Sequence, residues 1–160
     1  MKKFTKNEPI EIGKSLGLSH FALSFANRPS DVEMIRKLTD SNTFIISKIE
    51  SLSGLANLEN IANLSDAILI DRGDLSRQVP LELIPQMQKS IIETGKNCGR
   101  EVFVATNLLE SMVQNPLPTR AEVNDVYNAL EMGASSLVLA GETAVGKYPK
   151  ECILLLEKII

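Results

Sequence analysis

Apolar runs rich in β-branched and aromatic residues alternate along this chain with stretches whose apolar positions recur every three to four residues. The first pattern predicts strands and the second amphipathic helices. Phe21-Ala22-Leu23-Ser24-Phe25 is the first run. After it, Pro29-Ser30 leads into a helix through Leu38, with Ser30 and Glu33 at capping-box spacing. Thr43 to Ile49 forms the second run, followed by a helix from about Leu55 to Asn63. Ala67-Ile68-Leu69-Ile70 is the third, and its helix follows Pro80-Leu81 and stops near Gly99. Val102-Phe103-Val104-Ala105 is the fourth. Its helix starts after Pro118, with Thr119 and Glu122 spaced as a second capping box and Gly133 placed to end it. Ser136 to Ala140 is the fifth, and Pro149 suits the first turn of a closing helix that reaches Ile160.

About five β/α units result. The strands read as continuous apolar runs, which suits a parallel sheet buried on both faces with helical crossovers. Periodicity alone leaves an open sheet and a barrel equally available. No low-complexity tract or clear linker divides the chain, so residues 1–160 read as a single domain.

Polar clusters stand at the ends of these apolar runs: Ser47-Lys48-Ile49-Glu50, Asp71-Arg72-Gly73-Asp74, Ala105-Thr106-Asn107 and Ala140-Gly141-Glu142-Thr143. In a parallel α/β barrel the carboxyl ends of all strands open onto one face, which carries the chemistry. Lys48 and Glu50 lie two apart and so project to the same side. An ammonium beside a carboxylate can hold an anionic substrate and a divalent metal together, or it can be a plain ion pair at a strand end. Gly73 permits a tight turn in which two consecutive N–H groups grip a carboxylate. Asp74 with Glu50 offers hard oxygens that suit Mg²⁺. The plain alternative is a turn with solvated charges. The Thr106 hydroxyl can bond a substrate carboxylate or its own turn, and Glu142-Thr143 can support the residues around it.

Composition narrows the functions. The chain is 44% hydrophobic and 23% charged, with no Trp and a formal net charge of −3. No basic run marks a nucleic-acid surface, and no apolar stretch is long enough to span a bilayer. Cys98 and Cys152 form no spaced framework, and the charged first residues lack a following apolar signal core. The expected compartment is the cytoplasm. His20, the only histidine, reads as a surface or strand-start residue, and no Gly-Lys-Ser/Thr phosphate loop follows Gly13 and Gly17.

Taken together, these motifs resemble the pyruvate kinase family. The resemblance rests on Ile46-Ser47-Lys48-Ile49-Glu50, Arg72-Gly73-Asp74-Leu75, Ala105-Thr106, Leu109-Glu110-Ser111-Met112, Pro118-Thr119-Arg120-Ala121-Glu122 and Gly141-Glu142-Thr143-Ala144 with Tyr148-Pro149. It implies a partial TIM-type (β/α)₈ barrel, of which this chain holds the last five parallel β/α units. It further implies phosphoryl transfer from phosphoenolpyruvate to ADP, giving pyruvate and ATP. By that resemblance Lys48 neutralises the transferring phosphoryl group and the enolate oxygen, and Glu50 and Asp74 ligate Mg²⁺ or Mn²⁺. The N–H groups of Gly73 and Asp74, with the Thr106 hydroxyl, hold the substrate carboxylate. Lys48 and Thr106 are thus the implied catalytic residues. K⁺ is a further candidate cofactor, although the family's K⁺ ligands are absent from this chain.

Departures from the family are informative. The first three barrel strands, the lid domain and the C-terminal domain have no counterpart here. The family usually has a small residue where this chain has Asp71, Gly where it has Ser76, and Gln where it has Asn107. Asp71 adds a carboxylate beside the expected anion grip and predicts weaker phosphate binding by like-charge repulsion. Five units leave a strand edge at each end, so self-association, a complementary barrel segment, a longer product or a modified open sheet is expected. Two other functions fit the same residues: a non-catalytic binding or assembly module, and a Mg²⁺-dependent lyase that handles the pyruvate enolate without a nucleotide.

Overall fold

A computed structural model describes residues 8–160. It opens on a helix that the sequence pattern did not signal, α1 (Glu8–Ser15), packed so closely on Phe21 that a Cβ at Gly13 would lie 2.8 Å from the ring. The chain then runs β1 (His20–Leu23), α2 (Pro29–Leu38), β2 (Phe44–Ile49), α3 (Leu52–Ala56), α4 (Leu58–Leu64), β3 (Ala67–Asp71), α5 (Arg72–Leu75) and α6 (Ile84–Asn97). It continues through β4 (Glu101–Ala105), α7 (Arg120–Glu131), β5 (Ser136–Val138), α8 (Gly141–Ala144) and α9 (Pro149–Ile159). Short 3₁₀ turns precede α6 and lie between β4 and α7.

The five strands of the described residues are all parallel and pair in chain order, β1-β2-β3-β4-β5. A doubly wound sheet reverses its strand order at a switch point, and this sheet has no reversal. With right-handed crossovers, an unreversed order lays successive helices along one side of the sheet. That is the wall of a (β/α)₈ barrel, present here as five units with β1 and β5 at its edges.

The register separates two faces. Ile45, Ser47 and Ile49 of β2 align with Ile68 and Ile70 of β3, which align with Val102 and Val104 of β4. All seven are fully buried, and they share the core with Val32 and Ile35 of α2, Ile61 of α4, Ile91 and Ile92 of α6, Val126 of α7 and Leu156 of α9. On the other face Phe44, Ile46, Lys48, Asp71 and Phe103 are only partly buried. Burial of both faces, as the apolar runs suggest, holds for Ala67–Ile70 of the central strand and not for its neighbours.

Local chemistry explains the shifted boundaries. Helix α2 starts one residue before Ser30, because Pro29 sets its first turn. Asp31, not Glu33, caps it, accepting from the N–H groups of Asn27 and Arg28 at 3.1 and 2.9 Å. The single helix expected from Leu55 to Asn63 is two. Ser51 caps α3 by accepting from the Gly54 N–H at 3.0 Å, and the chain breaks at Asn57, whose amide donates to the Asn27 carbonyl at 2.9 Å. The expected box before α7 is present: Thr119 accepts from the Glu122 N–H at 3.2 Å, and Glu122 accepts from the Thr119 N–H at 2.7 Å. Gly133 ends that helix with φ 101°. The fifth strand stops at Val138, two residues short of expectation. Residues 1–7, which carry the charged start of the chain, lie outside the described residues.

Candidate active site

The carboxyl ends of β2, β3 and β4 bring the predicted residues together. Because Ile49 turns inward to the helices, Lys48 points to the opposite, half-open face. Its ammonium lies 2.7 Å from Glu50 Oε1 and 3.0 Å from Asp71 Oδ2. Glu50 is 1% exposed, and a carboxylate that deeply buried requires partners on both oxygens. Its Oε2 accepts from the Phe25 N–H, where the chain turns through a positive φ of 51°.

Asp71 ends β3, and the next four residues form α5 instead of the expected turn. Gly73 is helical there, and a Cβ would meet Asp71 and Thr106 at an ordinary 3.5–3.6 Å, so the chain itself does not demand glycine at this place. The Gly73 N–H donates to Thr106 Oγ1 at 2.8 Å, and the Asp74 N–H donates to Asp71 Oδ1 at 3.5 Å. Both expected anion-gripping N–H groups therefore point at acceptors within the chain. Helix α5 carries Asp74 back over the strand ends, so that carboxylate oxygens of Glu50, Asp71 and Asp74 lie within 4.8 Å of one another. Asp74 also pairs with the exposed Arg77 at 3.1 Å. Three hard carboxylate oxygens at that spacing fit the donor chemistry of Mg²⁺ or Mn²⁺.

Thr106 sits just beyond β4 with φ 67°, and Asn107 follows with φ 54°. A left-handed conformation is unfavourable for a β-branched residue and needs external support. Arg72, to which the sequence reading assigned no role, supplies it. Its buried guanidinium donates to the Thr106 carbonyl at 3.1 and 2.6 Å and to the Ala105 carbonyl at 3.3 Å. Asp125 of α7 at 2.7 Å and Gln88 of α6 at 3.3 Å fix the same guanidinium. The geometry aims the Thr106 hydroxyl inward, 2.6 Å from the Ala105 carbonyl and 3.3 Å from Asp71 Oδ1.

Two more carboxylates hold the loop beyond Thr106. Glu142, buried in α8, accepts from the N–H groups of Leu109 at 3.1 Å and Ala140 at 2.8 Å. Glu122 accepts from the Ser111 N–H at 2.7 Å and from its hydroxyl at 2.5 Å, in addition to capping α7. Beside this loop is a cleft of about 160 Å³ lined by Thr106, Asn107, Glu110 and Gly141.

The charges are mutually reinforcing. Burial pulls the Lys48 ammonium down, but the hydrogen bonds and charges of Glu50 and Asp71 outweigh it and hold the group above its ordinary lysine value. Burial pushes Asp71 up, yet Lys48, the Asp74 N–H and the Thr106 hydroxyl hold it below the ordinary aspartate value. Lys48 and Asp71 are therefore both charged at neutral pH.

His20 takes no part. It opens β1 at the amino end of the sheet, exposed, with its ring 5.2 Å from that of Phe44. Cys98, which caps the end of α6, and Cys152, buried in α9, are free thiols. No helix among the described residues is long and apolar enough to cross a membrane.

Comparison with known proteins finds one family over most of the chain. The family described as "Pyruvate kinase, barrel domain" matches residues 5–153. A pyruvate kinase of Thermotoga maritima is 47% identical over 156 residues, covering 95% of this chain and 33% of that protein. One of Sporosarcina psychrophila is 43% identical over 95% of the chain and 27% of its own length. One of Mycobacterium tuberculosis is 40% identical over 96% and 33% respectively. The chain thus spans about a third of the length of the curated relatives it matches.

Proposed function

Because the chain belongs to the pyruvate kinase family through its barrel domain, we propose that it carries the phosphoryl-handling half of a site for Mg²⁺-assisted transfer between phosphoenolpyruvate and ADP, giving pyruvate and ATP. The observation that carries this reading is the convergence of one ammonium and three carboxylates at the carboxyl ends of β2 and β3.

Glu50 and Asp74 would hold the Mg²⁺ or Mn²⁺. When bound, that ion offsets negative charge on the transferring phosphoryl oxygens. Lys48, kept protonated by its two acidic neighbours, sets a fixed positive charge against the phosphoryl oxygens and the enolate oxygen that forms as the phosphoryl group leaves. Such a charge acts in a partly buried site and needs no reorganisation at the moment of reaction. Thr106, with the N–H groups of Gly73 and Asp74, orients the substrate carboxylate. K⁺ belongs to this reading only as a cofactor held outside the residues named here. The cytoplasm is the compartment it fits.

The cleft beside Thr106, at about 160 Å³, is smaller than the roughly 300–1,000 Å³ of pockets that enclose a small ligand. The nucleotide therefore needs further walls. Among the described residues, the edge strands β1 and β5 each present one unpaired backbone side. A complementary barrel segment or a second copy of the chain pairing there is part of the proposal.

Calorimetric titration of phosphoenolpyruvate with and without Mg²⁺ tests the reading, followed by ADP-dependent pyruvate formation, alone and with a segment supplying the missing β/α units. Mg²⁺-linked binding is expected, with Lys48→Ala lowering turnover by about a hundredfold or more while the circular dichroism is unchanged. A Lys48→Ala chain that forms pyruvate at the unsubstituted rate, or a chain with no Mg²⁺-linked binding of phosphoenolpyruvate or pyruvate, defeats it.

A further inference from the structure

We infer that Asp71 is an internal competitor for the substrate anion: its carboxylate rests on the donors that a substrate oxyanion would use. The inference deepens the phosphoryl-transfer reading and rests on it.

The donors can be followed one by one. Lys48 directs its ammonium at Asp71 Oδ2, 3.0 Å away, and at Glu50. The Thr106 hydroxyl lies 3.3 Å from Asp71 Oδ1, and the Asp74 N–H donates to that same oxygen at 3.5 Å. One carboxylate thereby touches the ammonium, the hydroxyl and one of the two backbone N–H groups expected to hold a substrate carboxylate. The remaining N–H, of Gly73, is engaged by Thr106 Oγ1 at 2.8 Å. Asp71 is partly buried and comes from the strand end itself, so it is presented by rigid backbone and not by a mobile loop.

Charge works in the same direction. Glu50, Asp71 and Asp74 bring carboxylate oxygens within 4.8 Å of one another, the Lys48 ammonium pairs with the first two, and the exposed Arg77 pairs with Asp74. The cluster attracts a divalent cation and repels an anion that arrives without one. Asp71 does more than repel, since a substrate anion must also displace it from Lys48 and Thr106. The Lys48–Glu50 pair survives that displacement, because it uses the other oxygen-bearing partner.

Removal of Asp71 tests this. Phosphoenolpyruvate is titrated calorimetrically into the unsubstituted chain, Asp71→Ala, Asp71→Asn and Lys48→Ala at saturating Mg²⁺. Mn²⁺ alone is titrated with detection by electron paramagnetic resonance. Asp71→Ala is expected to bind phosphoenolpyruvate about tenfold or more tightly than the unsubstituted chain, because a like charge and an internal ligand leave together. Asp71→Asn, which keeps the shape and loses the charge, is expected between the two. Mn²⁺ alone is expected to bind more weakly to Asp71→Ala. If Asp71→Ala keeps its circular dichroism and binds phosphoenolpyruvate no more tightly, while Lys48→Ala loses binding, the inference falls and the phosphoryl-transfer reading stands. If none of the four chains binds phosphoenolpyruvate at millimolar concentration, both fall.

Discussion

Replacing Arg72 by alanine isolates what holds the left-handed residue at the heart of this site. The guanidinium is buried and donates to two main-chain carbonyls, to Gln88 and to Asp125. Arg72→Ala leaves the Thr106 and Ala105 carbonyls and the Gln88 amide without their charged donor. Hydrogen bonds to a charged group contribute about 1.5–3 kcal/mol each, and removal of one member of a buried pair costs about 3–5 kcal/mol. The left-handed Thr106 adds pressure, because such a conformation persists only against about 1–3 kcal/mol of strain. Once released, the peptide relaxes and recovers part of that energy, so a net loss of about 3–4 kcal/mol is expected. A domain of this length shifts by about 2–4 °C per kcal/mol, which makes the expected fall in Tm roughly 6–16 °C. Asp125→Ala is the control. In that variant the guanidinium keeps its bonds to the Ala105 and Thr106 carbonyls and to Gln88, and the carboxylate it loses is 37% exposed and screened by solvent, so the cost is expected near 1 kcal/mol. Urea unfolding followed by circular dichroism measures both, with amide exchange at Asn107 and Leu108 reporting the loop. The clamp argument is refuted if Arg72→Ala costs less than about 1 kcal/mol, or if Asp125→Ala costs as much as Arg72→Ala.

Other substitutions probe separate parts of the fold. Burial pushes Glu122 up, but its bonds to Ser111 and Thr119 hold it below the ordinary glutamate value of 4.5. Its stabilisation is therefore complete above that ordinary value and is lost as pH falls through the lower folded value. Glu122→Gln is expected to lower stability by about 1–2 kcal/mol at pH 7 and to flatten the acid limb of the urea-midpoint profile. A variant profile parallel to the unsubstituted one down to pH 3 would contradict this. Gly95→Ala in α6 would bring a Cβ within 2.3 Å of Val102 Cγ2. Although alanine favours a helix by about 1 kcal/mol over glycine, overpacking at this fully buried contact is expected to destabilise the chain by a net 1–2 kcal/mol or so. A raised urea midpoint would show that β4 yields without cost.

The β/α alternation was legible because each strand is a compact apolar run with a periodic helix after it, and the resemblance in Lys48, Glu50, Arg72, Gly73, Asp74 and Thr106 pointed to one end of the strands. What escaped the sequence depends on contacts between distant residues. Helix α1 holds a glycine at position 13 that weakens the helical signal and is justified only by Phe21 against it. The break between α3 and α4 is set by the Asn57 amide reaching the Asn27 carbonyl, 30 residues away. Left-handed Thr106 contradicts local preference outright, and its cause is an arginine on another strand end. Asp71 looked like an unwelcome charge beside an anion grip. Only the register of β2 against β3 shows that Lys48 is close enough to pair with it. The two Arg-Gly-Asp N–H groups were foreseen as open donors, and the Thr106 hydroxyl and the Asp71 carboxylate, brought in by folding, are what they meet.

Since every strand of this sheet borders only the strands before and after it in the chain, the architecture is additive along one direction. A β/α unit joined at either margin would meet a ready backbone template without disturbing pairings already made, and deletion of a marginal unit would expose one new border instead of splitting the interior. Recombining whole units between related barrels should therefore succeed when the cut falls between a helix and the next strand. A cut between a strand and its following helix would separate Asp71 from Asp74, or Thr106 from the α7 carboxylate at Asp125 that steadies its clamp, and so divide the chemistry along with the fold.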